Sequence, residues 1–225
     1  MGRQATGRQT NGLKRGTMSR HVRSFEAVAF DLLTALIDSW SLWALVAGSQ
    51  ELGRAWGTAS LRLVTSAGTY RPYEQIVHQA GRDVGLAAER ADELLARWGE
   101  LRPWPDVPDA LAGLRSWRLG VVTNCSQRLA EIAASATGGR FDVIMSAEQA
   151  GAYKTDPRAY LAGLAALALP PERVLFVAGS PHDVPGAAAV GMAVYWANRL
   201  GLPPTDGPGP LVEAPDLSRL SDLLR

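Results

Sequence analysis

Residues 25–38, F-E-A-V-A-F-D-L-L-T-A-L-I-D, constrain the fold more than any other stretch: a short apolar run ends abruptly in a carboxylate. Six residues with Glu26 as the lone charge make a strand buried on both faces, and such strands belong to parallel sheets covered by helices. In open parallel sheets the ligand crevice lies outside the carboxyl ends of the strands. Asp31, directly after Phe30, is therefore placed like a catalytic carboxylate. An aspartate that merely caps the next helix would look the same, so the distinction depends on what the other strand ends carry.

After Asp38 the apolar spacing lengthens to three or four, through Trp40, Trp43, Val46, Trp56, Leu61 and Val64, and further helices are expected at 73–80 and 87–98. Residues 39–104 thus read as an all-helical block, closed by R-P-W-P-D-V-P at 102–108, a proline-rich hinge. A crossover between parallel strands needs only about a dozen residues plus loops, so this block reads as an insertion. From residue 109 strands and helices alternate. Strands are expected at 119–123, 141–145, 173–178 and 192–196, with helices at 109–117, 126–136, 157–168 and 184–190. The Gly/Pro-rich segment 201–210 reads as an extended loop before a last short helix. The expected fold is α/β, a Rossmann-like doubly wound parallel sheet of the opening strand and these four. Residues 25–38 and 105–225 form the core and 39–104 an inserted helical cap.

A formal charge of +1 gives no reason to expect nucleic acid or an acidic membrane as partner. Six of the 23 basic residues fall in residues 1–24, which hold no acid, leaving 17 against 22 acidic residues in a body of net charge about −5. Residues 1–24 lack an apolar run, which excludes a secretory signal, and read as a disordered basic leader, with Met18 an alternative start. The single cysteine, Cys125, excludes an internal disulfide or a multi-cysteine metal site and reads as a small apolar filler. No apolar stretch approaches the ~20 residues that span a bilayer. A cytoplasmic protein is expected.

The residues just past the strands are Asp31, then Thr123 with Asn124, then Lys154, then Ser180 and Asp183. Singly they are a helix cap, turn formers and a surface lysine. Together a nucleophilic carboxylate, a small hydroxyl with nearby backbone N–H groups, a lysine and a second carboxylate make a kit for covalent displacement.

These stretches carry a resemblance. F-D-L-L-T-A-L-I-D at 30–38, V-V-T-N-C-S at 121–126, K-T-D-P-R-A-Y at 154–160 and V-L-F-V-A-G-S-P-H-D-V-P-G-A at 174–187 resemble, in order, the four motifs of the haloacid dehalogenase superfamily of hydrolases. Y-W-A-N-R at 195–199 is similar to the tail signature of its metal-independent 2-haloacid dehalogenases. The resemblance implies that Asp31 attacks the halogen-bearing carbon and forms an ester, which water activated by Asp183 and Lys154 hydrolyses. It implies Thr123 orienting the substrate carboxylate, Asn124 cradling the halide and Tyr160 steadying the site, with Ser180 beside them. From the cap, Arg71 is expected to bind substrate, with Arg54 and Arg62 as alternatives. The implied partner is a small-molecule carboxylate, with a homodimer formed through the cap.

Some positions depart from the family pattern. Leu33 and Gly179 stand where the superfamily's phosphatases carry acids, so no metal and no cofactor is expected; Mg²⁺ enters only under an alternative phosphate-ester hydrolase reading. Thr34-Ala35 replaces Gly-Thr, leaving the family's threonine hydroxyl without a counterpart in register. Gly57 follows Trp56 where the halide-binding arginine is usual, and Ala178 and Ser180 replace a Ser and an Asn. These losses motivate a third reading, a catalytically decayed binding protein on the same fold.

Overall fold

The computed structural model describes residues 1–2 and 24–224. The basic leader expected at 1–24, and Met18 within it, lies almost wholly outside the described residues.

Strand β1 (Ala27–Phe30) is followed by a single π-helical turn, Leu32–Leu36, and then by helices α1 (Ser39–Ala47), α2 (Gln50–Thr65), α3 (Tyr73–Asp83) and α4 (Ala88–Ala96). Next come α5 (Val107–Gly113), β2 (Arg118–Thr123), α6 (Gln127–Ala136) and β3 (Val143–Ser146). A short α7 (Ala147–Ala150), α8 (Pro157–Leu167), β4 (Val174–Ala178), α9 (Asp183–Ala189), β5 (Ala193–Ala197) and β6 (Val212–Ala214) complete the series, ending in a 3₁₀ turn at Leu220–Leu223.

The strands form one six-stranded, all-parallel sheet in the order β3-β2-β1-β4-β5-β6. The chain therefore runs outward in one direction to β3, returns to the middle, and runs outward the other way. That reversal leaves a crevice between the ends of β2, β1 and β4. Alternation along β1 sends Val28 and Phe30 to one face with Val121, Leu175 and Val177. Ala27 and Ala29 face the other way, toward Val122, Phe176 and the α8 residues Tyr160 and Leu164.

The sixth strand corrects the sequence expectation of five. β6 is only V-E-A, one of the three residues is buried, and the preceding run of prolines and glycines hides it from any periodicity. Helix α5 starts two residues earlier than expected, because Pro108 occupies its first turn, where a missing N–H costs nothing.

The two chain connections to the helical block run side by side: Ile37 forms an isolated antiparallel bridge with Pro103, Asp38 N–H donates to the Arg102 carbonyl at 2.9 Å, and Trp104 N–H to the Leu36 carbonyl at 3.0 Å. Within the block α1 packs on α2, α2 on α3 and α3 on α4. Gly48, at φ +87°, ends α1 in the left-handed conformation and Ser49 caps α2, splitting what the apolar spacing presents as one continuous pattern. Gly53 is packed against the α1 backbone: a Cβ there would lie 2.5 Å from the Ala44 Cα. Among the described residues no helix is long and apolar enough to cross a membrane.

Candidate active site

The π-helical turn after β1 decides how Asp31 is held. Asp31 is its N-cap, and the turn closes through Ile37 N–H to the Leu32 carbonyl at 3.0 Å. One carboxylate oxygen, Oδ2, accepts three hydrogen bonds: from Thr34 N–H at 2.9 Å, Thr34 Oγ1 at 2.6 Å and Ala35 N–H at 3.1 Å. The other, Oδ1, accepts one, from Lys154 Nζ at 2.7 Å. No threonine stands in the family's register, yet a hydroxyl from outside that register meets Asp31. Thr34 stands one residue earlier than the family's threonine, and the widened turn brings its hydroxyl onto Asp31.

Gly179 explains the absent acid. A Cβ at this position would lie 2.3 Å from Ala35 N and 2.4 Å from Thr34 Oγ1, so the fourth strand's exit is pressed against the Asp31 turn and leaves no room for a side chain.

Lys154 lies between two carboxylates. Its ammonium donates to Asp31 and to Asp183 Oδ2 at 2.8 Å, and it sits 5.5 Å from the centre of the Phe176 ring. Tyr160 Oη donates to Asp183 Oδ1 at 2.7 Å. All four residues are buried. Asn124 clamps the lysine's main chain: its Oδ1 accepts from Lys154 N–H at 2.7 Å and its Nδ2 donates to the Lys154 carbonyl at 3.0 Å.

The charges of this triad separate in direction. Burial alone would raise the Asp31 carboxyl, but the Lys154 cation and the Thr34 donors more than offset it, so its pKa lies below the usual 3.8. Burial pushes Asp183 upward, and the negative charge of Asp31 adds to that against the opposing pull of Lys154; its pKa lies above 3.8. Burial would lower Lys154, but Asp183 and Asp31 together hold it above 10.5. Two carboxylates sharing one cation thus shift in opposite directions, Asp31 downward and Asp183 upward. Tyr160 is pushed upward by burial and stays a neutral donor. Burial likewise pushes the Cys125 thiol up to about 12, which fits a filler beside the strand end.

Trp104 and Arg199, far apart in sequence, hold the turn through its carbonyls and also line the cavity that opens over Asp31. Trp104 Nε1–H donates to the Thr34 carbonyl at 3.1 Å, and the N–H of that same peptide unit, on Ala35, points at Asp31. Arg199 donates through Nη2 and Nε to the Ala35 carbonyl at 2.8 and 3.2 Å and through Nη1 to Asp106 Oδ1 at 2.5 Å. Its guanidinium lies 5.4 Å from the Trp104 ring. The Y-W-A-N-R signature contains Arg199, but nothing in its spacing shows that it props up the Asp31 turn.

A cavity of about 580 Å³ opens over Asp31, and Thr123, Asn124, Lys154, Ser180 and Asp183 line its floor. The Thr123 hydroxyl is buried, 3.8 Å from Cys125 Sγ, and Ser180 Oγ accepts from His182 N–H at 3.3 Å. The roof belongs to α1 and α2, with Trp40, Trp43, Leu61 and Val64. Arg71 is not among the lining residues: its Nη2 donates to Gln79 Oε1 at 3.3 Å, which turns the guanidinium along α3. Arg54 lines the cavity instead, exposed and without an ionic or hydrogen-bond partner among the described residues. Arg62 does not line it. His182, exposed on the turn before Asp183, also reaches the lining.

The donor set does not suit Mg²⁺. That ion needs several free oxygens in octahedral array, whereas the Asp31 and Asp183 oxygens are engaged by Lys154, Thr34, Ala35 and Tyr160, and Gly179 cannot become an acid.

Fold and site define a parallel α/β protein with a buried Asp–Lys–Asp triad at the sheet's reversal point. Residues 16–191 match the family model described as haloacid dehalogenase-like hydrolase. The chain is 30% identical to an (S)-2-haloacid dehalogenase of Pseudomonas putida, over 90% of this chain and 99% of that protein. It is 31% identical to a phosphoserine phosphatase of Thermus thermophilus, over 80% of this chain and 75% of that protein. The crystal structure of an L-2-haloacid dehalogenase superposes with a TM-score of 0.80 at 27% identity, covering 89% of this chain and 99% of the other. The chain belongs to the haloacid dehalogenase-like hydrolases, a family whose members similar to it include both dehalogenases and phosphatases.

Proposed function

We propose that this chain hydrolyses the carbon–halogen bond of a 2-halocarboxylic acid through an ester on Asp31, without a metal. The observation that carries the reading is the unequal bonding of the Asp31 oxygens. Oδ1, with one donor, is the freer nucleophile, while Oδ2 sits among three donors. In the first step Oδ1 attacks the halogen-bearing carbon from behind; the carbon–halogen electron pair leaves as halide and an ester forms. In the second, Asp183 takes a proton from water, whose oxygen attacks the Asp31 carbonyl carbon. The negative charge then gathers on Oδ2, where the Thr34 and Ala35 N–H groups already point. Collapse breaks the bond between the carbonyl carbon and Oδ1, which leaves as the hydroxyl oxygen of the 2-hydroxy acid, taking the proton held by Asp183. The remaining water proton passes from the Asp31 carboxyl to solvent and restores the carboxylate.

The remaining residues take supporting parts in this reading. Asn124 fixes the Lys154 backbone, Tyr160 orients Asp183, and Thr123 and Ser180 face the substrate from the floor. Arg54, the unpartnered cation on the roof, replaces Arg71 as the cap residue that meets the substrate carboxylate. Residues 39–104 act as a cap over a core of residues 25–38 and 105–225, hinged at Asp38 and at 102–108. The test is halide release from a panel of 2-haloacids, with and without EDTA, using Asp31→Asn as control. Release that is insensitive to EDTA and absent in the variant supports the reading; no release across the panel defeats it.

The similarity to a phosphoserine phosphatase favours a second reading, phosphate-ester hydrolysis from the same Asp31. Magnesium-dependent turnover of p-nitrophenyl phosphate would establish it, against the crowded donor set described above. The decayed-scaffold reading loses one of its motives, since Thr34 supplies a hydroxyl to Asp31; Gly57, Ala178 and Ser180 still depart from the family pattern.

A further inference from the structure

The cavity is far larger than a two- or three-carbon haloacid requires. A 2-halopropionate has six heavy atoms; even at a water molecule's ~30 Å³ of liquid volume for each atom it would occupy no more than about 180 Å³. The space over Asp31 is about 580 Å³, within the range of pockets that take drug-sized ligands. Its roof is mainly apolar and braced, although Thr58, Ser60 and Thr65 of α2 also line it and the buried Ser60 Oγ has no hydrogen-bond partner among the described residues. Trp43 packs edge-on against Trp56 with ring centres 4.8 Å apart, and Trp56 Nε1–H donates to the Val77 carbonyl at 2.9 Å, tying α1, α2 and α3 together. Trp40 lies over Gly57, where an added Cβ would come within 2.8 Å of the indole Cζ3. The ring thus covers the position at which the sequence lacks an arginine, so that an indole replaces a cation on that part of the roof. Leu61 and Val64 extend the wall, and Leu33 faces it from the Asp31 turn.

We propose that this chain takes a 2-substituted carboxylic acid whose carbon 2 bears a large apolar arm, aryl or branched alkyl, seated against Trp40, Trp43, Leu61 and Val64. The inference rests on the hydrolase reading for the orientation of the substrate, with the carboxylate near Arg54 and carbon 2 over Asp31. Apolar surface buried against this wall favours the larger acid in proportion to its area. A short haloacid leaves the wall in contact with water and gains nothing from it.

The test uses acids without a leaving group, so it does not depend on turnover. The unmodified protein is titrated calorimetrically with propionate and with 3-phenylpropionate, then Trp40→Ala and Leu61→Ala are titrated in the same way. The expected result is binding of 3-phenylpropionate about tenfold tighter or more, with the preference reduced at least about threefold in either variant. Equal affinities, no binding of the aryl acid, or a preference that survives both substitutions would overturn the proposal. Failure of the halide-release assay together with a retained aryl preference would sink the dehalogenase reading and leave the pocket assignment standing. Halide release from short haloacids without an aryl preference would do the reverse.

Discussion

The floor and roof of the cavity are built on opposite principles. On the floor nearly every functional atom is already bonded: Asp31, Lys154, Asp183 and Tyr160 form one buried chain, and Asn124, Trp104 and Arg199 hold its backbone. On the roof most of the side chains are apolar, though Thr58, Ser60 and Thr65 stand among them, the one cation at the rim has no partner among the described residues, and an indole ring occupies the space above Gly57. A buried polar network functions only when all its members are satisfied, whereas an apolar wall can change shape without disturbing a proton. On the proposed function, chemistry would therefore belong to the rigid floor and substrate choice to the roof, and departures from the family pattern would have different consequences in the two places. The misplaced threonine on the floor is compensated within one residue, while the missing arginine on the roof is not replaced in kind.

If that division holds, substitutions on the floor should lower the rate far more than they alter substrate preference. Asp31→Asn is expected to remove turnover by about 10⁴-fold or more, as loss of a covalent nucleophile does, measured as halide released. Lys154→Met comes next. It leaves two buried carboxylates facing each other, and breaking a buried pair costs about 3–5 kcal/mol, read from denaturant unfolding near neutral pH. Both carboxyl pKa values in that folded variant would be raised, and a raised folded-state carboxyl pKa means stability is regained as pH falls through it. Unfolding midpoints of the variant should therefore approach those of the unmodified protein in mild acid; a deficit constant with pH would contradict the shared-cation account.

Thr34→Ala removes one of the three donors at Oδ2, with an expected loss of roughly 10²-fold in kcat from a preorganised site, and Thr34→Ser should restore most of it. The same network sets the acid limb of the rate. Asp183 must be ionised to accept a proton from water, and its pKa lies above the usual 3.8, so kcat should fall with decreasing pH at values higher than an ordinary aspartate titrates. An acid limb at or below 3.8 would assign the base elsewhere. The smallest effect is expected from Trp104→Phe, which deletes one hydrogen bond to the Thr34 carbonyl, about 1 kcal/mol, and should appear in kcat with KM little changed. A change confined to KM would move Trp104 from positioning the Asp31 turn to contacting substrate.

How much of this is legible in the sequence follows the same division. The strands that end at Asp31 and Thr123 are readable because unbroken apolar runs end sharply at polar residues, and Lys154 and Asp183 are readable by their motifs. The role of Thr34 is hidden because register counting presumes regular helical geometry, and a π-helical turn shifts which residue meets Asp31. Gly179 shows only as a missing acid; its reason is contact with backbone more than a hundred residues away, which no local pattern encodes. Trp104, Asp106 and Arg199 converge from separate parts of the chain, so their joint support of the turn is a property of the fold. On the roof, Arg54 and Arg71 are alike in sequence, and helix rotation alone decides that Arg54 lines the cavity.

Formation of the ester at Asp31 is the step on which the proposed chemistry depends. The direct measurement is turnover of a 2-haloacid in water enriched in the heavy oxygen isotope, followed by mass spectrometry of the peptide that contains Asp31. Hydrolysis at the Asp31 carbonyl predicts heavy oxygen in that peptide and, in a first turnover with enzyme in excess, ordinary oxygen in the 2-hydroxy acid. Heavy oxygen in the product with an unlabelled Asp31 would show that water attacks the substrate carbon directly and would contradict the account.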